Sequence, residues 1–222
     1  MSADIHAEDL NIIGKHIYDP EKGHLIDHVF GPDGSRRNTS VFISRHVAIE
    51  NELVAKHGKS KPSRDKICIQ VAGAAMVGHS LGYPIQHLQV GMYQGENVGF
   101  ADFGPPDATN IIELMLFREA AGLLGGFATR ELLGISHPCS SIRSRVIAAI
   151  ICRYMEQPLG KAQWHYYHRA LQYSKTVVTK NRHILNSLVH MLSRTDRVTP
   201  EEAMSVLKDV KCVSPDWYLY AD

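Results

Sequence analysis

Cysteine is scarce: 222 residues hold only 4, at Cys68, Cys139, Cys152 and Cys212, and no two form a CxxC pair. Such spacing argues against a zinc knuckle or a disulfide scaffold and predicts a reducing, cytoplasmic compartment. Long apolar runs are missing too. Nothing approaches the roughly 18–20 residues that span a bilayer, and the opening MSADIHAEDLNIIGKH has no apolar leader core, so neither membrane span nor secretion signal is expected. Charge of one sign is not in excess. Lys and Arg number 24 against 23 Asp and Glu, for a formal net charge of +1, which speaks against a dominant electrostatic grip on nucleic acid or anionic lipid. Phosphate-binding GxxxxGK[ST], nucleophile-elbow GxSxG and dinucleotide glycine patterns do not occur, nor does any repeat or low-complexity stretch.

What is present suffices for a real core. The 44% hydrophobic content and the length predict one large domain, or one domain with a sizeable extension. Charge is uneven along the chain. Residues 67–129 carry one basic residue, Arg118, against five acidic ones, whereas residues 130–222 carry thirteen basic against eight acidic. Two differently solvated faces explain this asymmetry; an oligomer or partner surface is the sharper alternative.

The pattern along the chain predicts an α+β, mostly helical fold. Residues 1–65 read as a small α/β extension, with short β-like runs at Ile12–Tyr18 and His24–Phe30 and a helix over about Ser44–Lys56. GKSKPSRDK at 58–66 is a polar, basic loop. Residues 66–222 form the main domain: a helix over Lys66–Leu81, then a hairpin over Ile85–Phe103 turning at Gln-Gly-Glu-Asn. A helix over Asn110–Leu124 follows, with a separate short one in GGFATRELLG. Further helices are expected over Ser140–Gln157, from near Pro158, over Lys175–Arg194, and from Thr199 with its Pro and acidic first turn.

The most informative stretch is Ile69–Ile85, IQVAGAAMVGHSLGYPI, an Ala/Gly-rich helix stopped by Gly-Tyr-Pro. It resembles the peptidase domain of the FtsH family of ATP-dependent zinc metalloproteases, whose active-site helix reads like IHEAGHAVVAYLLGYPI. The frame needs no gap. LLGGFATRELLG at 123–134 resembles that family's GGRAAEELxxG segment, with Phe127 and Arg130 departing from it. HPCSSIRSRVIAAII resembles the segment bearing its aspartate ligand, which would fall near Ser141 or Ile142, and residues 179–207 resemble its closing helices. The resemblance covers roughly residues 66–210 and implies a zincin-like fold with an active-site-type helix, an edge hairpin and a helical bundle.

The departures fall on the chemistry. Gln70 stands for the first histidine, Val71 for the glutamate and Ala74 for the second histidine, and no acidic residue lies between Glu131 and Glu156. A neutral amide is a poor zinc ligand, and Val and Ala can neither ligate metal nor move protons. No catalytic residue, metal or other cofactor is therefore expected. A site rebuilt elsewhere would have to use His79 with His87, His165 with His168, His183 with His190, or Cys139 beside His137; packing roles explain each of these more simply.

In the resembled fold the strand beside the active-site helix aligns peptide through main-chain hydrogen bonds. That implies a partner-binding edge at Gln86, His87, Leu88, Gln89, Val90, Gly91, Met92 and Tyr93, unless the N-terminal layer covers it. The sequence thus points to a catalytically inactive, protein-binding relative of that peptidase domain. Homo-oligomerisation is compatible with the family's ring assemblies. Two readings compete: a hydrolase with a repositioned metal or cysteine site, and a nucleic-acid-associated regulator using 58–66 and the basic C-terminal half.

Overall fold

The computed structural model describes residues 2–19, 23–24, 40–59, 61–105, 112–135, 141–159, 163–216 and 218. Leu10, Ile13 and Ile17 recur at helical spacing, and the chain opens with helix α1 (Ser2–Ile17) rather than with a strand at Ile12. The β-branched isoleucines suggest a strand, but burial of this face against Ile49 and Leu53 of α2 (Ser40–His57) outweighs local propensity. Among the described residues of this layer, Tyr18–Asp19 (β1) and Gly23–His24 (β2) pair as a minimal antiparallel ladder. Of the run expected over His24–Phe30, all but His24 lies outside the described residues.

Helix α3 (Arg64–Ser80) is the hub, packing on the sheet and on three later helices. It is buried almost all round, as its lack of an apolar stripe demands. It stops in a Schellman motif: Gly82 adopts φ 84°, its N–H donates to the His79 carbonyl at 3.0 Å, and Tyr83 N–H donates to the Gly78 carbonyl at 3.0 Å. Strands β3 (Ile85–Tyr93) and β4 (Glu96–Phe103) form the expected hairpin. Gln94 and Gly95 both take positive φ, as a two-residue type I′ turn requires.

A third strand, β5 (Arg197–Val198), lies on the far side of β3, giving the order β4-β3-β5. Leu88 pairs with Val198 and Gln89 with Arg197, and Val90 N–H donates to the Asp196 carbonyl at 2.9 Å. The strand expected to be an open edge is thus the central one.

The remaining helices are α4 (Ile112–Leu132), α5 (Ile142–Leu159), α6 (His165–Lys180), α7 (Arg182–Arg194) and α8 (Pro200–Leu207). The glycines at 122, 125 and 126 do not split α4; they let α3 approach it. The helix expected near Pro158 begins later, because Pro158 still belongs to α5. Buried Glu156 accepts from the backbone N–H groups of Trp164 and Tyr166, both at 3.1 Å, and so caps α6 in place of a side chain on α6 itself. The helix expected over Lys175–Arg194 breaks at Asn181. Its buried amide donates to the Val177 and Lys211 carbonyls and accepts from Lys211 N–H at 2.7 Å. Thr199 and Glu202 form a full capping box on α8.

The result is an α+β, mostly helical fold with a small three-stranded antiparallel sheet. Among the described residues, no helix is long and apolar enough to cross a membrane. The division expected at 65/66 falls in the first turn of α3, and Leu10, Ile13, Ile49 and Leu53 belong to the same buried apolar cluster as the rest. A buried ion pair fastens the N-terminal layer. Asp9 receives Arg145 of α5 at 3.2 Å and His57 of α2 at 2.7 Å, while the Arg145 guanidinium lies 4.4 Å from the centre of the Phe127 ring. Asp9→Asn removes the compensating charge from a buried arginine and is expected to cost about 3–5 kcal/mol. Urea unfolding checks this, and a loss below about 1 kcal/mol, the range of surface pairs, would refute the buried clamp.

Candidate functional site

Helices α3 and α4 touch through small residues. A Cβ on Gly73 would lie 1.9 Å from Thr129 Oγ1, one on Gly125 2.9 Å from Val77 Cβ, and one on Gly126 2.7 Å from Gln70 Cγ. β4 leans on the same helix. A Cβ on Gly99 would lie 2.5 Å from Ile67 Cγ2, and one on Gly78 2.3 Å from the Phe103 ring. Close contact on these two lines leaves a wedge open between them. It is a cleft of about 420 Å³, floored by Gln70, Val71 and Ala74 and walled by Phe100 and Ala101 of β4 and Leu123 of α4. Ser144, in the first turn of α5, and Glu119 of α4 also reach it.

The three positions where the resembled family carries its catalytic histidines and glutamate therefore meet in one cleft, and none of them can do that chemistry. Gln70 is bound instead. Arg130 Nη1 donates to Gln70 Oε1 at 3.0 Å, and Nη2 reaches the Ile135 carbonyl at 3.5 Å. A guanidinium only donates, so the atom facing it must be the amide oxygen, and Gln70 Nε2 is left as a donor. Arg130 is 1% exposed, and among the described residues it has no carboxylate partner and its Nε has no hydrogen-bond partner. Burial lowers its pKa from the ordinary value. The turn after α4 fixes the residue: Ile135 N–H donates to the Arg130 carbonyl at 2.9 Å, beyond Gly134 at φ 66°.

The candidates for a rebuilt site stay apart. Among the described residues no group of three His, Cys, Asp or Glu could hold a metal ion. Half-buried His79, its pKa lowered by burial, sits more than two turns from Gln70 on α3. His87 lies on the other face of the sheet, against the Phe100 ring and 3.5 Å from Asp102. His165 and His168 make edge contacts with Tyr166 and Tyr167, and burial lowers the His168 pKa. His183 and His190 are exposed along α7. Burial raises the thiol pKa of Cys68 and Cys152, which suits packing rather than nucleophilic attack. Cys139, His137 and Ser140 lie outside the described residues. Of the basic loop, Lys59 pairs with Glu96 at 3.0 Å and Arg64 with Asp196 at 2.7 Å, so part of its charge is used internally.

The edge also needs correcting. Gln86, Gln89, Met92 and Tyr93 are exposed and His87 and Gly91 half-buried, but Leu88 and Val90 point into the core and β5 covers Leu88–Val90. Because Val90 N–H points to β5, alternation sends the main-chain groups of Gln89 and Gly91 to β4. On β4, the same alternation leaves the polar main-chain groups of Asn97, Gly99 and Ala101 facing away from β3. No strand among the described residues pairs on that side. Among the described residues the free edge is β4, and it forms one wall of the cleft. Sequence reasoning missed this because pairing partners over 100 residues away decide which strand is central. It missed the Arg130–Gln70 bond too, although both residues stood out as departures from the same pattern.

No protein-family model matches the chain, and no curated protein matches it at a significant level.

The helix contact is directly testable. Gly73→Ala places a methyl against Thr129 and is expected to destabilise by at least about 1–3 kcal/mol, whereas Gly91→Ala, whose Cβ meets nothing within 4 Å, serves as the tolerated comparison. Equal melting temperatures for the two variants would refute the close seam.

Proposed function

We propose that the protein is a non-catalytic relative of the FtsH-type peptidase domain, a pseudoprotease that binds an extended protein segment in the cleft between α3, α4 and β4. The observation that carries this reading is the convergence of Gln70, Val71 and Ala74 on a cleft walled by an unpaired strand edge. That is the layout of a substrate groove with its water-activating groups exchanged for an amide and two aliphatic side chains. The start of α5, near where the resembled family would supply an aspartate, also reaches the cleft, at Ser144. A segment laid along β4 would gain main-chain hydrogen bonds at Asn97, Gly99 and Ala101, and its alternate side chains would enter the apolar cleft. Val98 and Phe100, 40% and 49% exposed, present apolar surface on the sheet face that carries His87.

A displayed library of random decapeptides panned on the full chain tests the reading. Selected peptides are expected to bind without being cleaved, as read by mass spectrometry. They should lose about tenfold or more in affinity, some 1.4 kcal/mol, either when alternate peptide amides are N-methylated or when Ala74→Leu fills the floor. Peptides that bind the parent and Ala74→Leu equally, and that tolerate N-methylation, would place binding elsewhere and refute the groove. Cleaved peptides would revive a hydrolase.

A further inference from the structure

We propose that the Gln70 end of the cleft recognises a carboxylate, and specifically the C-terminal α-carboxylate of the bound protein segment. The inference rests on the binding role proposed above and adds which atoms of the partner are read. Three features of the cleft bear on this end. Gln70 Nε2 is a donor left over after Oε1 is taken by Arg130. Ser144 lines the same cleft, and among the described residues its hydroxyl has no hydrogen-bond partner. Behind them lies Arg130, a buried cation whose donors reach only two neutral oxygens, from Gln70 and Ile135.

A buried guanidinium costs stability unless an anion compensates it. Elsewhere in this molecule the rule is obeyed, since buried Arg145 has Asp9. At Arg130 the described residues supply no anion, and the amide it polarises belongs to a residue that lines the cleft. A carboxylate placed there would accept from Gln70 Nε2 and from Ser144 Oγ and would compensate the guanidinium through one intervening amide. The first turn of α5, which carries Ser144, adds the positive end of a helix dipole.

The direction follows from the opposite wall. Glu119, the cleft's carboxylate, stands on the same helix as Arg130 but about 16 Å away at 1.5 Å per residue, and it has contacts of its own. An anionic end is therefore attracted to the Gln70 side and repelled from the Glu119 side. The cavity of about 420 Å³ takes a short stretch of peptide rather than a long one. A neutral internal amide at Gln70 would leave the cation uncompensated.

The probe is a pool of N-acetylated hexapeptides with Ala, Val, Leu or Phe at the last two positions, made once as free acids and once as C-terminal amides. Binding of both pools to the full chain is measured by affinity selection and mass spectrometry, then by anisotropy of labelled members. The acids are expected to bind about tenfold or more tighter than the amides. In Arg130→Met and in Gln70→Leu the acid-over-amide ratio should fall below about twofold, a ratio that a merely structural role for Arg130 would not move. Should one variant fail to fold, the other and the acid–amide comparison on the parent decide.

Equal binding of acids and amides to the parent, or a preference that survives in both variants, overturns the carboxylate reading and leaves the binding groove standing. Failure of both pools, in a protein that also enriches no decapeptide, removes the two together. A third pool, amidated but with Glu at the penultimate position, separates a side-chain carboxylate from a terminal one; binding as tight as that of the free acids overturns the terminal assignment.

Discussion

The distance between α3 and α4 sets nearly everything else. Gly73 lies against Thr129, Gly125 against Val77 and Gly126 against Gln70, so the two backbones approach as closely as side chains permit. Apolar packing at that distance is dense and intolerant of added volume. It fixes Gln70 beside the end of α4, which is why an arginine one turn beyond Gly126 can reach its amide. It also fixes the cleft, because β4 rests on the opposite flank of α3 through Gly99 and Gly78 while α4 holds the near flank. The groove is what remains between two contacts that cannot open.

Two buried arginines show how the fold treats charge. Arg145 is used structurally: Asp9 neutralises it, the Phe127 ring covers it, and together they hold the N-terminal layer on α5. Arg130 sits a short way along the same bundle with neutral oxygens only. Proteins tolerate such a group where it serves a site, and pay in stability there. The difference between the two residues, rather than the burial of either, is what marks the Gln70 end of the cleft.

Much of this fold is legible in the sequence because the signals are local. The Gly-Tyr-Pro stop after α3, the Gln-Gly turn of the hairpin and the Thr-Pro-Glu-Glu start of α8 each contain their own stereochemical reason, and each stands where expected. The failures share the opposite property. Ile12–Ile17 is helical because α2 offers a face to bury it; the glycines of α4 serve a neighbour instead of ending a helix; Asn181 breaks a helix because its amide binds Lys211. The candidate site divides the same way. Gln70, Val71 and Ala74 are located by the resemblance of one helix to a family motif, whereas the free edge and the cation behind Gln70 depend on elements far apart in the chain.

The brevity of β5 has a consequence for how the molecule is made. Leu88 obtains its second strand neighbour from Val198, about 110 residues further along, and Asp9 obtains its arginine from a position 136 residues away. A chain emerging from its N-terminus completes α3 and the hairpin early, yet it carries Asp9 unmatched until Arg145 is made and the β3 main chain open on one side until Arg197 and Val198 are made. Loop closure over such spans is entropically slow, and an unfinished strand edge is sticky while it waits. Arg197 and Val198 therefore set the moment at which the β3 main chain is closed on its second side.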